Sequence, residues 1–424
     1  VSEPSMNLFL NRNFLFMFFG RLVTNVGDSI YAVAAMWLVS ELGGSTFYTG
    51  LAGFLSLIPR FIQFFSGPII DRISIRHLLI HTQLIQAFLL LIIPAASYFG
   101  QLNVVLVLII SPIISIFNTL IYPAQMSSLP SFVHKKDLTK ANSYFTFAGQ
   151  GIDTFCNAVS GVLIVIVGAV SIYLLDSVLF IISAILFSFL RIPKHKQQIE
   201  QSQPVKKEKI SVILQHYKTE LWEGIHILLG KSFSRLLWGM ILINLVGGAT
   251  FVVLPAFSKL HGGPELYGIL LMAQAMGSMF GALIAPFLKL ERISMGLIYA
   301  VAFSVSGILW TLSVLSPNIW MMMIIYGLSW VPGGVTNILI NSYIQKGIPQ
   351  HLLGRVFSAS YSLSGIAAPI GSLCGGILGE VFGSEMIIGL SGLSVLLIGL
   401  YWLFDKTTRK LPSSDHVTDK VFQA

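Results

Sequence analysis

The run 14-FLFMFFGRLVTNVGDSIYAVAAMWLV-39 decides the class of fold. Arg21 and Asp28 are its only charged residues, and its polarity does not alternate. A helix of about 20 mostly apolar residues crosses the hydrocarbon core of a bilayer. A strand of a membrane barrel is about 10 residues long and alternates in polarity. Lipid offers no partners to peptide groups, so this stretch must satisfy its own amides as a helix.

Eleven more runs of the same kind follow along the chain: Thr49–Ile70, His77–Phe99, Val104–Tyr122, Asn142–Val167, Ser171–Leu190, Leu236–Phe257, Tyr267–Leu288, Ser294–Leu315, Ile319–Gln345, Val356–Val381 and Met386–Phe404. Composition agrees: 54% of the 424 residues are hydrophobic and 10% are charged, against roughly 25% charged in a soluble domain. The expected fold is an all-α integral membrane protein of twelve transmembrane helices in two six-helix, pseudo-symmetric bundles. The first bundle covers 1–190 and the second 235–404. Between them, 191–234 is a polar linker in which Ile210, Ile213, Leu214, Tyr217, Leu221, Ile225 and Leu228 recur at the spacing of an amphipathic surface helix. Residues 405–424 form a tail. Small residues at Cys156–Gly161 in span five and Ala368–Ser372 in span eleven give a weak internal echo, as expected of duplicated halves.

Lysine and arginine set the orientation. With the N-terminus taken as cytoplasmic, only Lys259 of the 26 basic residues falls in an outer loop, and only Arg21 and Arg60 lie inside spans. That bias places both termini in the cytoplasm. It also explains the net charge of +8 without nucleic acid. Cys156 and Cys374 lie within spans and read as packing residues, not a disulfide framework. The first run is too long for the apolar region of a signal peptide and reads as a retained span. Gly224 to Gly230-Lys231-Ser232 imitates a phosphate loop, but it has the wrong spacing and no preceding strand. No set of side chains has metal-ligand spacing and no nucleophile–base pair stands out. The expectation is therefore a non-enzymatic protein with no cofactor and no metal.

Charge inside a span costs several kcal/mol and marks function by default. Arg21, Asn25 and Asp28 sit at i, i+4 and i+7, on one helical face. Arg60 lies mid-way along span two. Asp153 lies mid-way along span five, with Thr146, Gln150 and Asn157 on its face. Two readings compete. In one, the arginines attract an anionic group while Asp28 or Asp153 takes up and releases a proton. In the other, these charges are static pairs that hold helix register. Asp176, near one end of span six, reads as a solvated cap. The second half carries neutral candidates instead: Asn244, Gln274, Trp330, Asn337, Asn341 and Tyr361, with Tyr343 beside them. Gly247-Gly248, Gly277, Gly281 and Gly333-Gly334 read as sites of close helix approach.

The loop Gly67-Pro68-Ile69-Ile70-Asp71-Arg72-Ile73-Ser74-Ile75-Arg76 resembles the signature loop of the major facilitator superfamily, with Gly67, Asp71, Arg72 and Arg76 matching and Ser74 replacing a glycine. By that resemblance, these residues form a conformational motif in which Asp71 pairs with helix ends, and spans one, two and five border a central cavity. Asn25-Val26-Gly27-Asp28, Tyr122-Pro123-Ala124, Ser128-Leu129-Pro130, Leu138-Thr139-Lys140-Ala141-Asn142 and Gly354-Arg355-Val356 are similar to the drug:proton antiporter and macrolide-efflux branch, which includes bacterial siderophore exporters. Cys156-Asn157 stands where that branch usually has Gly-Pro. The resemblance implies a monomeric secondary transporter of a bacterial cell membrane that exports a small organic molecule, drug-like or an anionic metabolite such as a carboxylate siderophore, against protons. Proton-coupled uptake of an organic anion and movement of lipid are the alternatives.

Overall fold

The computed structural model describes residues 8–59, 74–129, 132–133, 137–191, 219, 222–223, 225–230, 233–349, 352–417 and 421. Twelve principal helices follow one another: α1 (Arg12–Gly43), α2 (Thr46–Leu55), α3 (Ile75–Tyr98), α4 (Val104–Ser128), α5 (Leu138–Val167), α6 (Ala169–Ser188), α7 (Ser234–His261), α8 (Gly263–Ile284), α9 (Met295–Leu315), α10 (Ile319–Gly347), α11 (Leu353–Phe382) and α12 (Ser384–Phe404). A short α13 (Lys406–Arg409) ends the series. Among the described residues, ten helices are long and apolar enough to cross a membrane, and shorter apolar helices at Thr46–Pro59 and Val104–Thr119 supply spans two and four. Most of the linker and the second half of span two lie outside the described residues, including Arg60, Gly67, Asp71, Arg72 and Lys231-Ser232 of the phosphate-loop imitation. Of the amphipathic linker helix, Ile225–Leu228 are helical and Leu228 is fully buried.

Local chemistry explains where the helices start and stop. Asn11 caps α1 by accepting from the amides of Asn13 at 3.0 Å and Phe14 at 3.2 Å, satisfying donors that have no partner in the first turn. α1 ends at Gly44, in the left-handed region at φ +64°, whose amide donates to Ser40. α5 turns directly into α6 at Gly168 (φ +80°, ψ +151°), and α11 turns into α12 at Gly383 (φ +83°, ψ +157°). Only glycine adopts that conformation readily. Asn103 accepts from the amide of Leu106 at the start of α4, and Asn318 from those of Trp320 and Met321 at the start of α10. Gly168/Gly383 and Asn103/Asn318 are each 215 residues apart (383 − 168; 318 − 103). The internal echo thus extends to helix caps and turns.

The chain divides into two compact units. Unit 1 comprises residues 1–44, 55–206 and 264–268. Its α1 and α6 run antiparallel in close contact. A Cβ at Gly20 would lie 2.5 Å from the Phe187 ring, and the Thr24 and Ser183 hydroxyls meet at 2.7 Å. Asn13 and the Arg191 backbone exchange two hydrogen bonds, 2.8 and 2.9 Å, at the end of this seam. Arg76 of α3 donates to the carbonyl of Ser188 at the C-terminal end of α6, where a cation meets the negative end of the helix dipole.

Unit 2 comprises residues 45–54, 207–263 and 269–424. Its seams are made of glycine laid against backbone. A Cβ at Gly371 of α11 would sit 1.8 Å from the Leu245 carbonyl of α7, and one at Gly277 of α8 would sit 2.0 Å from the Gly327 carbonyl of α10. Gly248, Gly281 and Gly334 make equally close approaches, whereas Gly247 and Gly333 have nothing within 4 Å. At one end of this unit the residues after α12 fold back onto it. Arg235 pairs with Asp405, which caps α13 through the Thr408 amide (2.9 Å) and hydroxyl (2.6 Å). Ser294 donates to the carbonyls of Arg409 and Leu411 at 2.6 and 2.8 Å, and Leu411 is buried. Burial pushes the Asp405 carboxyl up, but the two Thr408 hydrogen bonds and the Arg235 guanidinium outweigh it and hold the group below the ordinary aspartate value of 3.8.

Candidate functional site

α1 carries Arg21, Asn25 and Asp28 on one face, each half-buried. The structure brings them to α5. A Cβ at Gly149 would lie 3.3 Å from the Asn25 amide nitrogen, so the missing side chain lets the two helices approach. One turn further along α5, the Ser29 hydroxyl donates to Asp153. Asp28 lies within electrostatic range of Arg21 and Asp153, and Asn118 of α4 hydrogen-bonds its carboxyl. Arg21, Asn25, Asp28 and Asp153 therefore form one constellation inside unit 1. Gln150 and Asp153 are exposed and Asn157 is half-buried, so the α5 face they share is open.

Sequence reading missed Asn118. It carries no charge, and its one mark in the sequence is the polar stripe it shares with Ser111, Ser115 and Tyr122 at helical spacing in span four. The structure also corrects the reading of Asp176. The carboxyl expected to be a solvated cap is fully buried, at 0% exposure. α6 starts at Ala169, which puts Asp176 about two turns inside the helix. There α6 packs on α1, and Oδ1 of Asp176 is 3.8 Å from where a Gly27 Cβ would stand. Neither carboxyl oxygen has a hydrogen-bond partner among the described residues. Tyr31 and Tyr173 pack edge to face beside it, with ring centroids 5.5 Å apart.

The neutral candidates of unit 2 are more dispersed. Gln274 accepts from the Tyr326 hydroxyl across a long 3.4 Å, and Tyr326 packs at 6.3 Å from both Trp310 and Trp330. Gln274 and Trp330 thus share one aromatic cluster. Asn244 is turned onto its own helix, donating to the Met240 carbonyl at 2.9 Å, and Asn341 does the same to Asn337 at 3.0 Å. Asn337 is exposed. Tyr343 is fully buried and stacks on Phe233 at 6.3 Å, which makes it core. The Tyr361 side chain lies outside the described residues.

The two units can be laid over one another at their helix seams. Gly239 of α7 receives Trp402 of α12 as Gly20 of α1 receives Phe187 of α6. Matching Gly20 to Gly239 sets Arg21, Asn25 and Asp28 against Met240, Asn244 and Gly247. The amide is repeated and both charges are absent. The ionisable chemistry of this face resides in one unit.

Long apolar helices, repeated caps and intramembrane charge together define a polytopic membrane protein. The solved structure of a bacterial homologue of the iron transporter ferroportin, captured inward-facing, has the same fold: TM-score 0.70 at 15% identity, over 96% of this chain and all of that one. The sequence family described as transmembrane secretion effector matches residues 5–423. The chain belongs to that family, within the major facilitator superfamily. It is similar to the staphyloferrin A transporter of Staphylococcus aureus, at 24% identity over 92% of this chain and 96% of the relative. It is also similar to macrolide efflux protein A of Streptococcus pyogenes, at 25% identity over 92% and 95%.

Proposed function

We propose that this chain is a secondary active exporter of a small organic molecule, working by proton-coupled alternating access in a bacterial cytoplasmic membrane, with both termini in the cytoplasm. The constellation of Arg21, Asp28 and Asp153 carries the reading. With both carboxylates ionised its charge is −1; one proton makes it neutral. A cluster of one guanidinium and two carboxyls is one proton from neutrality, which suits a one-proton exchanger. Arg21 is then free to change partner from Asp28 to an anionic group on the substrate.

The substrate class we propose is amphiphilic or anionic, with a carboxylate siderophore fitting an arginine-bearing cavity. The relative described as macrolide efflux protein A supports export as the direction. We further propose that the Gly67, Asp71, Arg72 and Arg76 loop acts on conformation, and that the protein works as a monomer. To test this, metabolites released by cells with and without the gene are compared under iron starvation and in rich medium. The compound that differs is then offered to everted membrane vesicles. Accumulation that collapses with a protonophore is expected. Accumulation only in right-side-out vesicles would reverse the proposed direction.

A further inference from the structure

We propose that Asp176, flanked by the hydroxyls of Tyr31 and Tyr173, is a second proton-holding site of this transporter, sealed in the seam between α1 and α6. This rests on the proton-coupled reading above and adds to it a place where the proton resides.

Burial is the first ground. Asp176 and Tyr173 are 0% exposed and Tyr31 is 7% exposed. An ionised carboxylate with neither oxygen hydrogen-bonded would cost several kcal/mol in such a place. A bound proton removes that cost. A metal ion would need more ligands, and no group of three His, Cys, Asp or Glu side chains occurs among the described residues.

The second ground is that packing does not require the acid. The offset that matches Gly20 to Gly239 takes Tyr31 to Thr250, and the offset that matches Phe187 to Trp402 takes Asp176 to Ser391. Thr250 and Ser391 are likewise buried, at 1% and 4% exposure. The α7/α12 seam is thus closed at this level by small neutral hydroxyls. Unit 1 retains a carboxyl where unit 2 does without.

Connection to the open site is the third ground. Asp176 lies within electrostatic range of Asp28, and the Tyr31 hydroxyl lies within range of both. The other titratable groups facing it are Tyr173 on its own helix and Cys156 on α5, with Asp153 beyond. α3 meets α6 here at Ala87, whose carbonyl accepts from Ser177 at 3.0 Å, and its nearby buried polar groups, Gln83 and Gln86, are neutral. The Tyr31 hydroxyl is hydrogen-bonded to neither carboxyl in this arrangement, so the step needs a shift that brings it between them. Asp28 then gives its proton to the Tyr31 oxygen as Tyr31 passes its own to Asp176. Asp28 is left ionised beside Arg21, Asp176 is left as the acid, and the tyrosine is unchanged.

The test uses purified full-length protein and infrared difference spectroscopy across a pH series. A carbonyl stretch of a protonated carboxylic acid should persist well above the ordinary carboxylate range. It should vanish in Asp176→Asn and survive in Asp153→Asn. Gly27→Ser sets a hydroxyl beside Oδ1, in space that accepts a Cβ, and should move the loss of that band to lower pH. In proteoliposomes, Asp176→Asn should slow proton-coupled exchange about a hundredfold, the lower end of what a positioned acid–base group contributes. No such band in the wild type, a band untouched by Asp176→Asn or Gly27→Ser, or undiminished coupling in Asp176→Asn would each overturn the proposal. If the wild type itself moves no protons with substrate, the parent reading fails instead.

Discussion

Gly371→Ala is a severe test of the packing described for unit 2. The added Cβ would stand 1.8 Å from the Leu245 carbonyl oxygen, 2.6 Å from its carbon and 2.9 Å from its Cα. Cβ atoms essentially never come within 3.0 Å of a neighbour, so the shortfall is 3.0 − 1.8, or 1.2 Å. The obstacle is helix backbone, which cannot rotate away as a side chain would. α7 and α11 must part, and the seam also holds Gly248 against Ala368, Gly375 against Ala249, and the Ser372–Gly248 hydrogen bond of 3.2 Å. Overpacking typically costs about 1–3 kcal/mol, and the rigid obstacle puts this case at about 2–3 kcal/mol. At roughly 2–4 °C per kcal/mol for a unit of this size, the melting temperature should fall by roughly 5–10 °C. Fluorescence-detected size exclusion after heating in detergent measures this directly. Gly247→Ala is the control, since nothing lies within 4 Å of that Cβ; it should be neutral or slightly stabilising through helix propensity. Equal melting temperatures for the two variants would show that the α7/α11 seam is not closed by glycine against backbone.

The remaining predictions concern charge. Asp153→Asn keeps an acceptor for Ser29 on an exposed face, so folding should be unaffected while proton-coupled transport is lost; transport unchanged across a pH series would remove Asp153 from the mechanism. Arg21→Gln should weaken anionic substrates about tenfold more than neutral ones, since an exposed-to-buried charge contact is worth about 1–2 kcal/mol; equal losses would mark a structural arginine. Asp405 is held below 3.8 in the folded chain, so it stabilises the fold above that pH and the benefit is lost as pH falls through the depressed value. Asp405→Asn should therefore melt below the wild type at pH 7 and match it more closely under acid; a deficit independent of pH would assign the effect to capping geometry alone.

Much of this architecture is legible in the sequence because the bilayer imposes a single rule. Backbone groups in lipid must pair locally, so length and polarity reveal each helix. The i, i+4, i+7 spacing of Arg21, Asn25 and Asp28 is likewise a local fact, and it survives folding unchanged. Asp176 was not legible for the opposite reason. Its surroundings come from α1, some 145 residues away, and a carboxyl seven residues from a helix start has the same local signature whether capped or buried. Asn118 joins the Asp28 site through a contact between α1 and α4; the spacing of Ser111, Ser115 and Asn118 marks a polar face of span four but not the helix that face meets. In unit 2, glycines marked seams correctly at Gly248, Gly277, Gly281 and Gly334, but which glycine of a pair faces the neighbour depends on helix rotation, so Gly247 and Gly333 were indistinguishable from their partners.

Water access to the α5 face decides whether the charges on α1 and α5 belong to a transport path. Gln150 is exposed one turn from Asp153. With Cys156 and Cys374 replaced by serine, Gln150→Cys can be challenged with a membrane-impermeant thiol reagent from each side of oriented vesicles. Labelling from both sides is expected, with substrate changing the balance between them. A thiol that stays unlabelled from either side would contradict this expectation.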